Sequence, residues 1–218
     1  MPALNEDLHG NVPDQADTAL LLIDVINDFE FPEGEQMLQH ALPMAQRIAD
    51  LKRRAQQAGV PIVYVNDNFG RWQSDFSKQV VHCIEDDVRG KPVVELLQPD
   101  ENDYSVLKPK HSGFFSTTLD TLLEYLGAKT LVLTGVAGNI CVLFTANEAY
   151  MRDFYLAVPA DCIASNTVEE NEHALAQMKK VLHADIRPSP ELDWEELKQR
   201  ARGEAKPQPQ TPQFAHQK

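Results

Sequence analysis

Cysteine is scarce in this chain: Cys83, Cys141 and Cys162 are all it has. An odd number at wide spacing makes neither a disulfide framework nor a zinc pattern, so a reducing cytoplasm is the expected setting. Long apolar runs are missing too. None approaches the ~18–20 residues that span a bilayer, so no membrane partner is expected. The opening residues, Met1 to His9, lack the basic-then-apolar layout of a secretory signal. Cations are in the minority, 20 Lys and Arg against 33 Asp and Glu, for a formal net charge of −13. Phosphate contacts need clustered Lys and Arg, so nucleic acid is not an expected partner either.

What is there reads as one sizeable domain, with 43% hydrophobic residues to build a core. Residues 1–17 are a polar arm, 18–202 the domain, and 203–218, with three prolines among glutamines, a disordered tail. Short apolar runs at Thr18–Asp24 and Leu131–Leu133 read as strands buried on both faces. Val60–Asn66 and Phe154–Pro159 read as further strands and Ser105–Lys108 as a weaker one, with Ala184–Ile186 as a short sixth. Between them, helices are expected over 36–58, in short pieces within 73–99, from Thr117 to Leu126, from Cys141 onward, and from Thr167 to about His183. A last helix is expected to start at Ser189. Alternating strands and helices predict an α/β fold: a doubly wound, mainly parallel sheet of five or six strands with helices on both faces.

The stretch from Lys129 to Ala146 organises the chemistry. An apolar strand runs into Gly135 and Gly138, and a helical pattern begins at Cys141. Unpaired N–H groups at a helix start favour an anion, so a thiol there is expected to have a lowered pKa and to face donors for an oxyanion. A buried small hydrophobe at a helix start satisfies the same pattern. In a parallel sheet the C-terminal strand ends share one edge, which brings Asp24 and Lys108 toward Cys141. Carboxylate, ammonium and thiol together suit nucleophilic catalysis with an acid–base partner. Asp28 competes with Asp24, but its place beside Asn27 suits local backbone bonds. Lys110 competes with Lys108 from beyond Pro109.

Three segments carry a resemblance: Leu20 to Phe29, Leu107 to Thr117, and Leu133 to Val142. In this order they resemble the isochorismatase-like cysteine hydrolases, the superfamily of nicotinamidases, N-carbamoylsarcosine amidase and ureidoacrylate amidohydrolase. The similarity runs from about residue 17 to about 190. It implies a triad of Asp24, Lys108 and Cys141. It also implies a non-proline cis peptide between Val136 and Ala137, and an oxyanion site at the backbone N–H groups of Ala137 and Cys141. Two positions depart from the pattern. Gly138 stands where many members have threonine. The segment after the second strand offers Asp67 but no histidine, so the nicotinamidase metal is not expected, nor any other cofactor.

Phe29, Asn68, Trp72, His111 and Asn139 lie in segments at the same edge and are candidates to contact substrate. Cys83 and Cys162 lack the strand, glycine turn and helix context and read as buried. The expected function is cleavage of a C–N bond in a small amide, ureido or similar compound through a thioester. A non-catalytic small-molecule-binding or scaffold member of the fold is the rival. Phe69, Trp72, Phe76, Val80 and Val81 load one segment with apolar groups, so a homo-oligomer, dimer or tetramer, is expected.

Overall fold

The apolar run before Asp24 forms the central strand of a parallel sheet, in a computed structural model that describes residues 15–70 and 75–202. This strand, β1 (Thr18–Ile23), is buried at every position. It is flanked by β2 (Ile62–Asp67) and β4 (Thr130–Val136), with β3 (Tyr104–Lys108) beyond β2 and β5 (Tyr155–Ala157) beyond β4. The order is β3-β2-β1-β4-β5, and every pairing is parallel. A two-residue strand, β6 (Ile163–Ala164), also pairs with β4, at Gly135 and Val136, beyond the stretch that β5 occupies.

Alternate side chains of β1 feed two cores. Leu20 and Leu22 point toward α1 (Gly34–Gln57), meeting Ile48, Leu51, Tyr64 and Trp194. Ala19, Leu21 and Ile23 join Val63, Val65, Leu119, Val142 and Met178 on the other side. Burying each such Leu or Ile contributes about 1.5–3 kcal/mol, which is why a strand covered on both faces is a continuous apolar run rather than an alternating one. Helices α2 (Phe76–Glu85), α3 (Lys91–Leu96) and α7 (Trp194–Ala201) share the first face with α1, while α4 (Leu119–Leu126), α5 (Leu143–Met151) and α6 (Val168–Val181) cover the second.

Three local expectations change. Ala184–Ile186 is no strand; it contributes a single bridge, Asp185 to Ala157, and the sixth strand is β6 instead. Two residues are too few to show a period. Thr117 does not cap α4: Thr118 holds the N-cap position, while Thr117 Oγ1 accepts from Leu119 N at 3.2 Å and donates to Gly113 O. The last helix starts at Trp194, capped by the Asp193 carboxylate, and Ser189–Glu191 is a separate 3-10 turn. Thr167 does cap α6 as expected, accepting from Glu170 N at 3.2 Å. Trp72, residues 1–14 of the arm and the tail 203–218 lie outside the described residues.

Candidate active site

The sheet delivers four residues to one edge. Asp24 follows β1, Asp67 and Lys108 end β2 and β3 as register partners, and Cys141 lies in the turn after β4. Asp24 takes a left-handed conformation, φ 52°, one that a short polar side chain tolerates. It redirects the chain at the strand end while its N–H still bonds to Val65 O at 3.0 Å. Beside it Gly135 sits at φ 110°, and a Cβ there would collide with the Ile23 carbonyl. Only glycine lets β4 run this close to β1. Gly138–Val142 then forms a π-helical turn leading into α5, and the Val136–Ala137 peptide is cis.

Lys108 is fully buried, and its Nζ joins the others. It lies 2.8 Å from Asp24 Oδ2, 3.5 Å from Cys141 Sγ and 3.4 Å from Asp67 Oδ2, and donates to Lys110 O at 3.2 Å. Asp24 Oδ1 accepts from the Asp67 N–H at 2.6 Å. His111 Nδ1 is 3.9 Å from Cys141 Sγ on the exposed side, and its ring lies 5.5 Å from that of Phe144. Thr145 ties the two segments together. Its hydroxyl donates to Cys141 O at 2.7 Å and accepts from Gly113 N at 3.0 Å.

The electrostatics correct one expectation. Burial, followed by the negative charge of Asp24, pushes the Cys141 thiol up to about 12, with Lys108 pulling the other way. The thiol is not acidified by its helix, because enclosure and a facing carboxylate outweigh the partial charge of a turn. Burial also raises Asp24, against the opposing pull of Lys108. Lys108 itself is raised, since the attraction of Asp24, Cys141 and Asp67 overcomes the cost of burial. The resting arrangement is therefore an uncharged thiol held against a carboxylate of increased basicity and an ammonium. Such a set can move one proton between sulfur and Asp24 while a negative charge develops nearby.

The remaining candidates separate. Asn68 is buried, bonds through its N–H to Lys108 O at 3.0 Å, and accepts from Gly70 N at 2.9 Å. Asn139 donates its N–H to Ser165 Oγ at 3.1 Å, and its buried side-chain oxygen has no hydrogen-bond partner among the described residues. Phe29 has none of its surface exposed and packs in the first core, 6.0 Å from the Phe31 ring. Asp28 makes the local bond expected of it, accepting from Glu30 N at 2.9 Å. Cys83 and Cys162 are buried.

The residues after β2 do not fit the nicotinamidase metal. Asp67 is followed by Asn68, Phe69 and Gly70, and its carboxylate is engaged with Lys108 and with Phe69 N. His82 pairs with Asp86 and Asp28 on and near α2. Sequence reasoning missed Ser165, Asn171 and Thr145 and weighed Asp67 only as a ligand. Asp67 carried the same strand-end signal as Lys108; the other three carry none.

A family model described as the isochorismatase domain matches residues 18–186. Among relatives, the uncharacterized isochorismatase family protein YaaI of Bacillus subtilis is 46% identical over 172 residues, covering 79% of this chain and 94% of that protein. Ureidoacrylate amidohydrolase RutB of Methylobacterium radiotolerans is 29% identical over 175 residues, 68% of this chain and 67% of that one. Among solved structures, N-carbamoylsarcosine amidase of Thermoplasma acidophilum superimposes with a TM-score of 0.62 at 27% identity, over 81% of this chain and 99% of that one.

Proposed function

The chain belongs to the isochorismatase-domain family, and from that premise we propose that it is a cysteine hydrolase cleaving the C–N bond of a small amide or ureido compound. The observation that carries the reading is the Lys108 ammonium, buried between Asp24 at 2.8 Å and Cys141 at 3.5 Å. Buried charges are costly unless paired, and a pair set against a thiol serves nucleophilic chemistry. Relatives and neighbours with amidohydrolase and amidase names add support for C–N cleavage.

In the proposed mechanism Asp24 takes the Cys141 proton as sulfur attacks the carbonyl carbon. The oxyanion meets the backbone N–H groups of Ala137 and Cys141. Neighbouring N–H groups in the turn are committed elsewhere, Asn139 to Ser165 and both Ile140 and Val142 to the Ala137 carbonyl. As the C–N bond breaks, Asp24 returns the proton to the leaving nitrogen. Water then gives its proton to Asp24 and attacks the thioester, releasing the acid and restoring the thiol. Lys108 holds Asp24 ionised between these transfers. His111, Asn68 and Asn139 are proposed to contact substrate, with His111 nearest the sulfur.

Release of ammonia from ureidoacrylate and N-carbamoylsarcosine, alongside a panel of small amides, tests this. Wild type should turn over at least one compound and Cys141→Ala none; equal turnover by both would sink the mechanism. EDTA should leave the rate unchanged, and loss restored by zinc would count against a metal-free site. We further propose a cytoplasmic homo-oligomer built on the 18–202 domain, supported by exposed Phe69 and Val81 within the expected interface segment. A mass near 24.5 kDa by light scattering at micromolar concentration would refute the oligomer.

A further inference from the structure

Hydrogen bonds of one polarity run from β6 and α6 into the Cys141 turn. Asn171 Nδ2 donates to Ile163 O at 3.3 Å, which turns its Oδ1 toward Ser165. The Ser165 hydroxyl donates to that oxygen at 3.0 Å and accepts from the Asn139 N–H at 3.1 Å. Ser165 is buried, so removing its oxygen would take the partner from the partly buried Asn139 N–H. The neighbouring Ile163 and Ala164 pair with Gly135 and Val136, the last residues of β4 before the turn. One short segment thus grips the turn at its entry and again inside it.

Gly138 completes the arrangement. A Cβ on it would collide with Asn171 Oδ1 and stand 3.0 Å from both Ser165 Oγ and Ile163 Cδ1. The side chains that support the turn from outside occupy the room that a side chain at 138 would need.

We propose that Ser165 and Asn171 are positioning residues that hold the oxyanion-binding turn in its working shape, and that residue 138 is glycine because they do so. The proposal rests on Cys141 being the nucleophile. By committing the Asn139 N–H, the relay fixes the turn so that the N–H groups of Ala137 and Cys141 meet the substrate oxygen. A displacement of about 1 Å in such a site costs on the order of 100-fold in rate.

Acetaldehyde tests the relay without a known substrate. The Cys141 thiol adds across its C=O: an S–C bond forms, the C–O π bond opens, and the thiol proton passes to the new hydroxyl oxygen or to Asp24. That oxygen takes the oxyanion's place. Affinity is read as the acetaldehyde concentration that half-protects Cys141 from iodoacetamide. Ser165→Ala, Asn171→Ala and Gly138→Ala should each need about 10–100-fold more acetaldehyde, whereas Ser165→Thr, which keeps the hydroxyl, should stay within about threefold of wild type. Melting curves establish that the variants are folded, and Asn171→Ala decides if Ser165→Ala is not. Wild-type protection in folded Ser165→Ala and Asn171→Ala would overturn the relay while leaving Cys141 as nucleophile. Failure of wild-type Cys141 to form any adduct would overturn both.

Discussion

Asp24 and Lys108 form a buried ion pair, Oδ2 to Nζ 2.8 Å, with the lysine side chain wholly enclosed and the carboxylate 8% exposed. Because neither group reaches water freely, each is the other's main source of compensation. Removing the cation alone should therefore hurt more than removing both. Lys108→Met is expected to cost about 3–5 kcal/mol in urea unfolding at pH 7. Asp24→Asn/Lys108→Met should cost less than that single variant. A double variant as unstable as the sum of both singles would show that the pair is not coupled.

Thiol labelling separates position from acidity. Cys83 is 2% exposed and Cys162 not at all, while Cys141 is half-buried with Asp24 at hand to accept its proton. Burial pushes Cys83 up to about 12, as burial and Asp24 push Cys141, so a lowered pKa is not what distinguishes them. Iodoacetamide at pH 7 should still label Cys141 at least about tenfold faster, through access and the adjacent base. Peptide mapping that finds Cys83 labelled as fast would remove the argument.

The acid limb of activity follows from Asp24. Its working form is the carboxylate, and burial raises its pKa despite Lys108. Activity should therefore fall as the pH drops through a value above the ordinary carboxylate pKa of about 3.9. In kcat/KM profiles Asp24→Asn should lose that limb along with most of the rate. An acid limb at or below the ordinary carboxylate value would contradict the assignment.

The sheet was readable because a strand buried on both faces writes itself as a continuous apolar run, and Leu20 to Ile23 do so at no exposed position. Asp24, Lys108 and Cys141 were readable because strand ends in such a sheet converge, and because the family resemblance singles out Lys108 over Lys110. What escaped depends on contacts that leave no period. Ser165 and Asn171 reach the turn from 26 and 32 residues beyond Asn139, one just past a two-residue strand and the other on a helix whose pattern reports only its core face. The sign of the thiol shift escaped for a related reason: enclosure and the facing Asp24 are properties of the assembled edge. Phe29 lies in the right segment, yet its ring turns inward beside Phe31.

Two glycines with left-handed backbones give the sharpest test of how the edge is built. Gly59 (φ 66°) ends α1 with nothing within 4 Å of where a Cβ would be, so Gly59→Ala pays only conformational strain, about 1 kcal/mol. Gly135 (φ 110°) lies in β4 against the Ile23 carbonyl, one residue before Asp24. Alanine there adds a collision with backbone that cannot move without shifting β1. Gly135→Ala should cost at least about 3 kcal/mol, combining backbone strain with overpacking. It should also slow Cys141 alkylation, because β1 carries Asp24 with it. Urea unfolding of the two variants side by side decides the matter: equal losses would mean that β4 and β1 can separate, and that this close approach does not set the position of Asp24.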